Sequence, residues 1–155
     1  SADTYFKYLM NRILTTLSSS NLHHIDYELN NINLDIDSTL ACGMIVNEWV
    51  TNSFKHAVTS GAPLRIKIAL NEISSKELSL SYQDNGPGLP ENFDIHNTQS
   101  LGMQIVSSFI HKIDGNLLIK NGNGIDFELK FPKPIDNEID GKTLKNNSKP
   151  LYQSR

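Results

Sequence analysis

The sequence predicts a two-layer α/β sandwich in which three helices cover one face of a mixed, largely antiparallel sheet. Apolar residues recur at helical spacing in three separate segments. Between and after these segments, apolar and polar residues alternate as they do in half-buried strands. Most of these strand-like runs are paired across short connections, which favours antiparallel neighbours over a purely parallel, doubly wound sheet.

The first predicted helix lies at the N-terminus. Apolar side chains recur at helical spacing from Tyr5 to Leu17. Asp3 or Thr4 is expected to cap the start of this helix, because short polar side chains accept hydrogen bonds from the first free amides. The serine-rich run at residues 18–21 is expected to end it.

Two strands and a second helix are predicted next. One strand runs through Ile25–Leu29, and a shorter one is expected near Leu34–Ile36. Asp37 or Ser38 is then expected to cap a helix that runs to about Val58, just before a glycine and a proline interrupt the chain.

Two strand pairs and a third helix are predicted for the C-terminal half. The alternating runs at Leu64–Leu70 and Leu78–Tyr82 favour an antiparallel pair. The third helix is predicted at Leu101–Ile113. After it, Gly115–Lys120 and Ile125–Phe131 form a last hairpin across an Asn-Gly-Asn-Gly turn.

The bulk properties are those of one globular domain. The 155 residues suffice for a sizeable core, and prolines after the last strand favour a domain at 1–132 with a flexible tail at 133–155. The net charge of -3 indicates neither nucleic acid nor an anionic membrane as a partner. No apolar run is long enough to span a membrane. The single cysteine, Cys42, excludes an internal disulfide and a cysteine-based metal cluster, and we expect it to be buried.

The stretch Asp84–Pro90 follows a predicted strand and reads Asp-Asn-Gly-Pro-Gly-Leu-Pro. It leaves one carboxylate at the end of the strand, beside glycines that let a ligand approach the main chain. Such a carboxylate can accept a hydrogen bond from the amino group of a purine. Taken alone, the same residues also fit an ordinary surface turn in which Asp84 only caps the loop.

The second helix has a polar stripe. At about 100° per residue, Glu48, Asn52 and Lys55 fall within one narrow sector, with His56 beside it. An amide oxygen suits Mg²⁺, a lysine can neutralise phosphate, and a carboxylate one turn away can polarise a nucleophile. The stripe therefore fits a phosphate and cation site, although a solvated helix face would look the same.

The third helix opens on Ser100-Leu-Gly-Met-Gln-Ile-Val106. A small residue and a glycine at a helix N-terminus expose amides that can bind an anion, although such a glycine also serves close packing. The segment before it, Leu89–Ser100, has no regular pattern, and a loop of this length in a compact domain is more often functional than not.

Taken together, Asn47–Ala57, Asp84–Gly88 and Ser100–Val106 resemble the ATP-binding catalytic domain of sensor histidine kinases. That domain belongs to the GHKL superfamily and has the Bergerat α/β sandwich fold. The resemblance covers roughly Tyr5 to Pro132. The short lid and the Lys-His-Ala at the end of the first segment are similar to the branch with short ATP lids.

The resemblance implies a role for each matching residue. Asn52 would be the Mg²⁺ ligand, Glu48 the acidic residue that activates or orients the nucleophile, and Lys55 a residue that reaches the phosphates. Asp84 would read the exocyclic amine of adenine. Further nucleotide contacts are implied for His56, Gly86, Gly88, Leu89, Ser100, Leu101, Gly102 and Met103, and Leu89–Ser100 would be the lid.

Three positions depart from the family pattern. Ile125 lies where the family usually has threonine after glycine, so the hydroxyl expected to support adenine recognition is missing. Met103 replaces leucine, which conserves volume. Trp49 replaces a smaller aliphatic residue and is expected only to repack the core.

The resemblance implies a cytoplasmic kinase domain that binds ATP and Mg²⁺. It would donate the γ-phosphoryl group to a histidine on a separate dimerisation hairpin, with a response regulator downstream. We find no such hairpin here, and none of the five histidines is the expected acceptor. The chain begins Ser1-Ala without methionine, so we expect a piece of a longer protein, which leaves a membrane domain in the parent open.

Two alternatives remain open. One is another GHKL enzyme, such as an anti-sigma-factor serine kinase or an ATPase. The other is a nucleotide-binding regulator without catalysis, which only Ile125 favours.

Overall fold

The computed structural model describes residues 2–17, 24–30, 32–60, 63–120 and 122–135. These residues form three α-helices, a short 3₁₀ helix and one five-stranded sheet. The helices are α1 (Ala2–Leu17), α2 (Ile36–Ser60) and α3 (Leu101–Lys112), and the strands are β1 (His24–Leu29), β2 (Arg65–Ser74), β3 (Glu77–Asp84), β4 (Asn116–Ile119) and β5 (Asp126–Pro132). The strand order is β1-β2-β3-β5-β4, and of the four pairings only β1 with β2 is parallel. The predicted fold class is confirmed.

The core lies between the sheet and the helices. Ile68, Tyr82 and Phe127 are register partners across β2, β3 and β5, so their side chains form one row on the covered face. Trp49 on α2 packs onto this row, with its ring centroid 4.9 Å from that of Phe127 and 5.5 Å from that of Tyr82. The expectation that Trp49 repacks the core agrees with these contacts, which place α2 over the end of β3 that leads to Asp84.

Helix α2 begins differently from the prediction. It starts at Ile36, and its start is capped by Asp35, whose carboxylate accepts the Ser38 amide hydrogen at 2.8 Å. The Asp35 carbonyl accepts the amide hydrogen and the hydroxyl hydrogen of Thr39 at 3.0 Å and 2.7 Å. The predicted cap at Asp37 or Ser38 is therefore wrong.

The short strand predicted near Leu34–Ile36 is also wrong. Residues 32–35 form no strand, and Ile36 is already the first residue of α2. Ile32 and Leu34 are buried, and this burial produced the alternation that suggested a strand. Because Asp35 caps α2, the backbone becomes helical at Ile36 and does not continue as an extended strand.

Helix α1 also starts earlier than predicted. It begins at Ala2, so Asp3 and Thr4 lie within its first turn instead of capping it. Among the described side chains of this helix, Phe6, Met10 and Ile13 are buried. The serine-rich run at 18–21 and the tail beyond residue 135 lie outside the described residues, as do the side chains of residues 14, 17 and 57. None of the described helices is both long enough and apolar enough to cross a membrane.

Cys42 is fully buried in the core, as expected, and burial raises the pKa of its thiol to about 12. We therefore expect native protein at pH 8 to resist a thiol reagent, because the thiolate is the reactive form. The same protein in urea should react completely. In the unfolded chain the pKa of this thiol has its ordinary value near 9, whereas in the folded chain it is about 12. The thiol therefore lowers the free energy of unfolding only as the pH rises from about 9 toward 12. Rapid labelling of native protein would contradict this burial.

Candidate functional site

Asp84 is the last residue of β3, and only 9% of its surface is exposed. Its Oδ1 accepts the amide hydrogens of Gly86 and Ile125, each at 2.9 Å. Its Oδ2 accepts the hydroxyl hydrogen of Ser53. The Asp84 amide in turn donates to the Ile125 carbonyl at 2.9 Å. A carboxylate offers about four lone-pair sites, so three donors leave acceptor capacity for a ligand.

Ser53 reaches Asp84 from α2 and is itself 3% exposed. Behind it, the Tyr82 hydroxyl lies 2.6 Å from Ser53 Oγ and 3.2 Å from the Trp49 carbonyl oxygen. Burial raises the pKa of the Tyr82 phenol far above its ordinary range, so this hydroxyl stays protonated and donates. The carboxylate is thus connected to the core by a chain of buried hydroxyl groups.

The loop after Asp84 depends on tight turns and main-chain contacts. Asn85 accepts the Arg65 amide hydrogen at 2.7 Å and donates to the Pro63 carbonyl at 3.1 Å, which attaches the loop to the start of β2. Gly88 has a φ of +79° and packs against Gly124, where a Cβ at residue 88 would lie 3.2 Å from the Gly124 carbonyl oxygen. Positive φ and this close approach both favour glycine.

A second group of predicted residues meets where α2 packs against the start of α3. The Glu48 carboxylate fills the space beside Gly102, so that any side chain at residue 102 would overlap it. The same space is bordered by Ser100. Asn52 lies one turn along α2 from Glu48 and is half-buried. These residues form what we call the α2–α3 junction: Glu48, Asn52, Ser100 and Gly102.

The start of α3 presents free amides to this junction. Ser100 is the N-cap with an extended backbone, and its carbonyl accepts the Gln104 amide hydrogen at 3.0 Å. Its side chain makes no capping hydrogen bond. The amides of the first helical turn have no intrahelical partner by geometry, and together with the helix dipole they favour an anion.

The remaining predicted residues are distributed around these two groups. Lys55 and His56 are exposed on α2 beyond Asn52. Leu101 is 71% exposed, whereas Met103 is buried in the core and Leu89 is half-buried against it. The structure thus brings Asp84 together with Gly86 and Gly88, and Glu48 together with Ser100 and Gly102. It does not place Met103 on an open surface.

The predicted lid, Leu89–Ser100, is anchored at its middle and at its end. It contains a 3₁₀ helix at Ile95–Asn97, in which Asp94 accepts the His96 amide hydrogen at 2.8 Å and Ile95 is buried. Near its end, the Gln104 side chain donates to the Thr98 carbonyl at 3.1 Å. The loop is therefore tied both to the core and to α3.

A cavity of about 330 Å³ opens between the start of this loop and the turn joining β4 to β5. It is lined by Gly88, Leu89 and Phe93 on one side and by Lys120, Ile125 and neighbouring residues on the other. No described lining residue lies on α2 or α3. This cavity borders the Asp84 turn but is separate from the α2–α3 junction.

Two residues of the site, Ser53 and Gly124, were not predicted from the sequence. Ser53 follows Val46 and Val50 at the i, i+4, i+7 spacing that marks the core side of α2, and a hydroxyl among buried positions was the available signal. Gly124 has a φ of +93° and touches the Asp84 backbone. Only the folded pairing of β3 with β5 brings Gly124 there.

The sequence of the chain matches a known family. The model of the family described as histidine kinase-, DNA gyrase B-, and HSP90-like ATPase matches residues 38–135, which is more than half of the chain. This segment includes the Asp84 turn and the α2–α3 junction.

Two curated relatives are histidine kinases by name. The chain is 32% identical over 102 residues to the sensor histidine kinase PdtaS of Mycobacterium tuberculosis, covering 64% of this chain and 20% of that protein. It is 24% identical over 123 residues to blue-light-activated histidine kinase 2 of Erythrobacter litoralis, covering 74% of this chain and 36% of that protein. The chain thus spans only between a fifth and about a third of these relatives.

A solved structure shows the same fold. The histidine kinase domain of the Erythrobacter litoralis EL346 blue-light-activated histidine kinase superposes with a TM-score of 0.75 at 20% identity. The match covers 85% of this chain and 61% of that one. At this identity the likeness concerns the arrangement of helices and strands.

Proposed function

The chain belongs to the family of histidine kinase-, DNA gyrase B-, and HSP90-like ATPases, and we propose that it is the catalytic domain of a sensor histidine kinase. In this proposal it binds ATP with Mg²⁺ and donates the γ-phosphoryl group to a histidine on a separate hairpin. The observation that carries the proposal is the buried carboxylate of Asp84, held by three donors at the end of β3 within the family segment.

The base end of the proposed site is Asp84. Its carboxylate has acceptor capacity left after its contacts with Gly86, Ile125 and Ser53. An amino group on a purine is the complementary donor, whereas an oxo group at the same position would face the carboxylate with a second acceptor. Ile125 lacks the hydroxyl that the family usually has at this position, and it contacts Asp84 through its main-chain amide.

The phosphate end is the α2–α3 junction. The first amides of α3 favour an anion, but the Glu48 carboxylate lies against Gly102 and repels one. The side-chain oxygens of this junction are suitable ligands for Mg²⁺, which takes one or two protein oxygens and completes its shell with phosphate oxygens and water. Asn52 would hold the ion through its amide oxygen, and the ion would offset the negative charge that Glu48 places there. Lys55 and His56 lie farther along α2, on the exposed side where phosphates or solvent would meet them.

The acceptor histidine is inferred from the names of the relatives, which are histidine kinases. The separate hairpin and a response regulator are what the resemblance to sensor histidine kinases implies. Catalysis of phosphoryl transfer depends mainly on positioning and charge neutralisation, which suits a site without a covalent nucleophile. Acid-labile phosphate on a hairpin histidine, formed when the chain is mixed with the parent's hairpin domain and ATP, supports this part. ATP hydrolysis without such a product favours the ATPase alternative. ATP binding with neither product favours a regulator without catalysis.

Nucleotide binding is tested by calorimetry with ATP in the presence and absence of Mg²⁺. We expect Mg²⁺ to increase the affinity of the wild-type chain for ATP about ten-fold or more, since it removes the repulsion from Glu48. Asn52→Ala should lose most of this increase. Asn47→Ala is the matched control, because Asn47 lies on the same helix but lines a groove with Tyr5 and Leu9 of α1.

Two results would contradict the proposal. Absence of ATP binding to the folded wild-type chain with Mg²⁺ present would remove its base. An Mg²⁺ effect that is as large in Asn52→Ala as in Asn47→Ala would remove the assigned role of Asn52 and leave the base end intact.

A further inference from the structure

We propose that Ser53 is a positioning residue for base recognition, and that its buried hydroxyl keeps Asp84 a hydrogen-bond acceptor that selects amino-purine nucleotides. The inference rests on the proposed function and extends it to a residue outside the predicted site. Ser53 approaches Asp84 from α2, whereas the other two donors, Gly86 and Ile125, come from loop backbone. Only the Ser53 donor is a side chain, so truncating this side chain removes a donor without changing the backbone.

The direction of the hydrogen bonds follows from counting protons. Ser53 has one hydroxyl hydrogen, and the Asp84 carboxylate can only accept, so this hydrogen points to Oδ2. Ser53 Oγ and the Tyr82 hydroxyl oxygen are 2.6 Å apart and need a hydrogen between them. Tyr82 must supply it, and burial raises the pKa of Tyr82, so that the hydrogen is retained. The chain therefore runs from Tyr82 to Ser53 to Asp84 in one direction.

This direction determines what Asp84 offers to a ligand. Oδ1 is held by two main-chain amides and Oδ2 by the Ser53 hydroxyl, so the three donors fix the orientation in which the carboxylate faces a ligand. Without the Ser53 hydroxyl, Oδ2 of the buried Asp84 loses the side-chain donor that holds it. The carboxylate is then expected to turn away from its present orientation, toward water. This change weakens it as the acceptor for an amino group.

The test compares ATP with inosine triphosphate, which carries an oxo group in place of the amino group of ATP. Dissociation constants for both nucleotides are measured with Mg²⁺ on the wild-type chain, Ser53→Ala, Ser53→Thr and Ser79→Ala. Ser53→Thr keeps a hydroxyl group at residue 53. Ser79→Ala is the control, because it also removes a buried serine hydroxyl. Ser79 lies on β3 but on the face of the sheet opposite to Asp84, and its hydroxyl contacts Glu128. Thermal unfolding confirms that each variant is folded.

We expect the preference for ATP over inosine triphosphate to fall about ten-fold in Ser53→Ala. It should stay within about two-fold of wild type in Ser53→Thr and Ser79→Ala. A preference that is unchanged in Ser53→Ala, or that falls equally in Ser53→Thr, overturns the role of the Ser53 hydroxyl while wild-type ATP binding stands. A wild-type chain that binds ATP without preferring it to inosine triphosphate overturns both this role and the assignment of Asp84. A purely structural role for Ser53 would lower binding of both nucleotides alike and would also overturn the inference.

Discussion

Replacing Asp84 with asparagine is expected to lower the affinity for ATP at least about 100-fold, because it changes what the site presents to the base. The position of Oδ1 is surrounded by two main-chain amides, from Gly86 and Ile125, so the asparagine oxygen must take it. The asparagine nitrogen then occupies the position of Oδ2, where Ser53 can turn and accept. The side that would offer an acceptor to adenine then offers a hydrogen, which repels the amino group.

Asp84→Asn should also change which nucleotide the site prefers, besides lowering the affinity for ATP. An amide hydrogen at this position complements the oxo group of inosine triphosphate, so Asp84→Asn should prefer inosine triphosphate over ATP. Binding of both nucleotides by calorimetry measures this. Asp26→Asn is the control, because Asp26 is an exposed carboxylate on the edge strand β1, which pairs with β2 and not with β3. Retention of ATP binding in Asp84→Asn, within a few-fold of wild type, would mean that Asp84 does not contact the base.

The fold was predictable because its local and global signals agree. Leu78, Leu80 and Tyr82 alternate with polar residues, and the structure buries these three on the helix side of β3. The errors occurred where a single side chain decided between two backbone paths. Ile32 and Leu34 are buried as a strand pattern requires, but Asp35 accepts the Ser38 amide hydrogen and begins a helix there. In a sequence, a helix cap is a signal from one short polar side chain that acts over about three residues. It is therefore easily outweighed by a longer alternation of apolar and polar residues that suggests a strand.

The site was predictable only in part, for a different reason. Asp84 and Glu48 stand out in the sequence because glycines or a polar stripe accompany them. Ser53 does not, because its hydroxyl acquires its role from Tyr82 and Asp84, which lie 29 and 31 residues away in sequence. Contacts between distant segments depend on how strands pair and how α2 packs over them. One sequence contains no direct record of such pairing.

Gly124 shows how much of the site depends on one backbone conformation. It has a φ of +93°, and a Cβ there would overlap the carbonyl oxygen of Asp84. Asp84 is hydrogen-bonded to Ile125, the residue after Gly124, through its main-chain amide and its carboxylate. It therefore cannot move away from residue 124 without breaking these hydrogen bonds. We expect Gly124→Ala to lower the free energy of unfolding by about 3 to 5 kcal/mol, from the unfavourable φ together with the backbone overlap.

Gly122→Ala is the matched control for Gly124→Ala, since it makes the same substitution two residues away in the same turn. A Cβ at Gly122 meets nothing within 4 Å, so this variant should stay within about 0.5 kcal/mol of wild type. For a chain of this length, about 2 to 4 °C of melting temperature correspond to 1 kcal/mol, so thermal unfolding should show a decrease of roughly 6 to 20 °C for Gly124→Ala alone. Equal melting temperatures for the two variants would show that the turn adapts to a side chain at residue 124. A decrease confined to Gly124→Ala, together with loss of ATP binding in whatever fraction stays folded, would show that the same backbone contact supports both the sheet and the carboxylate.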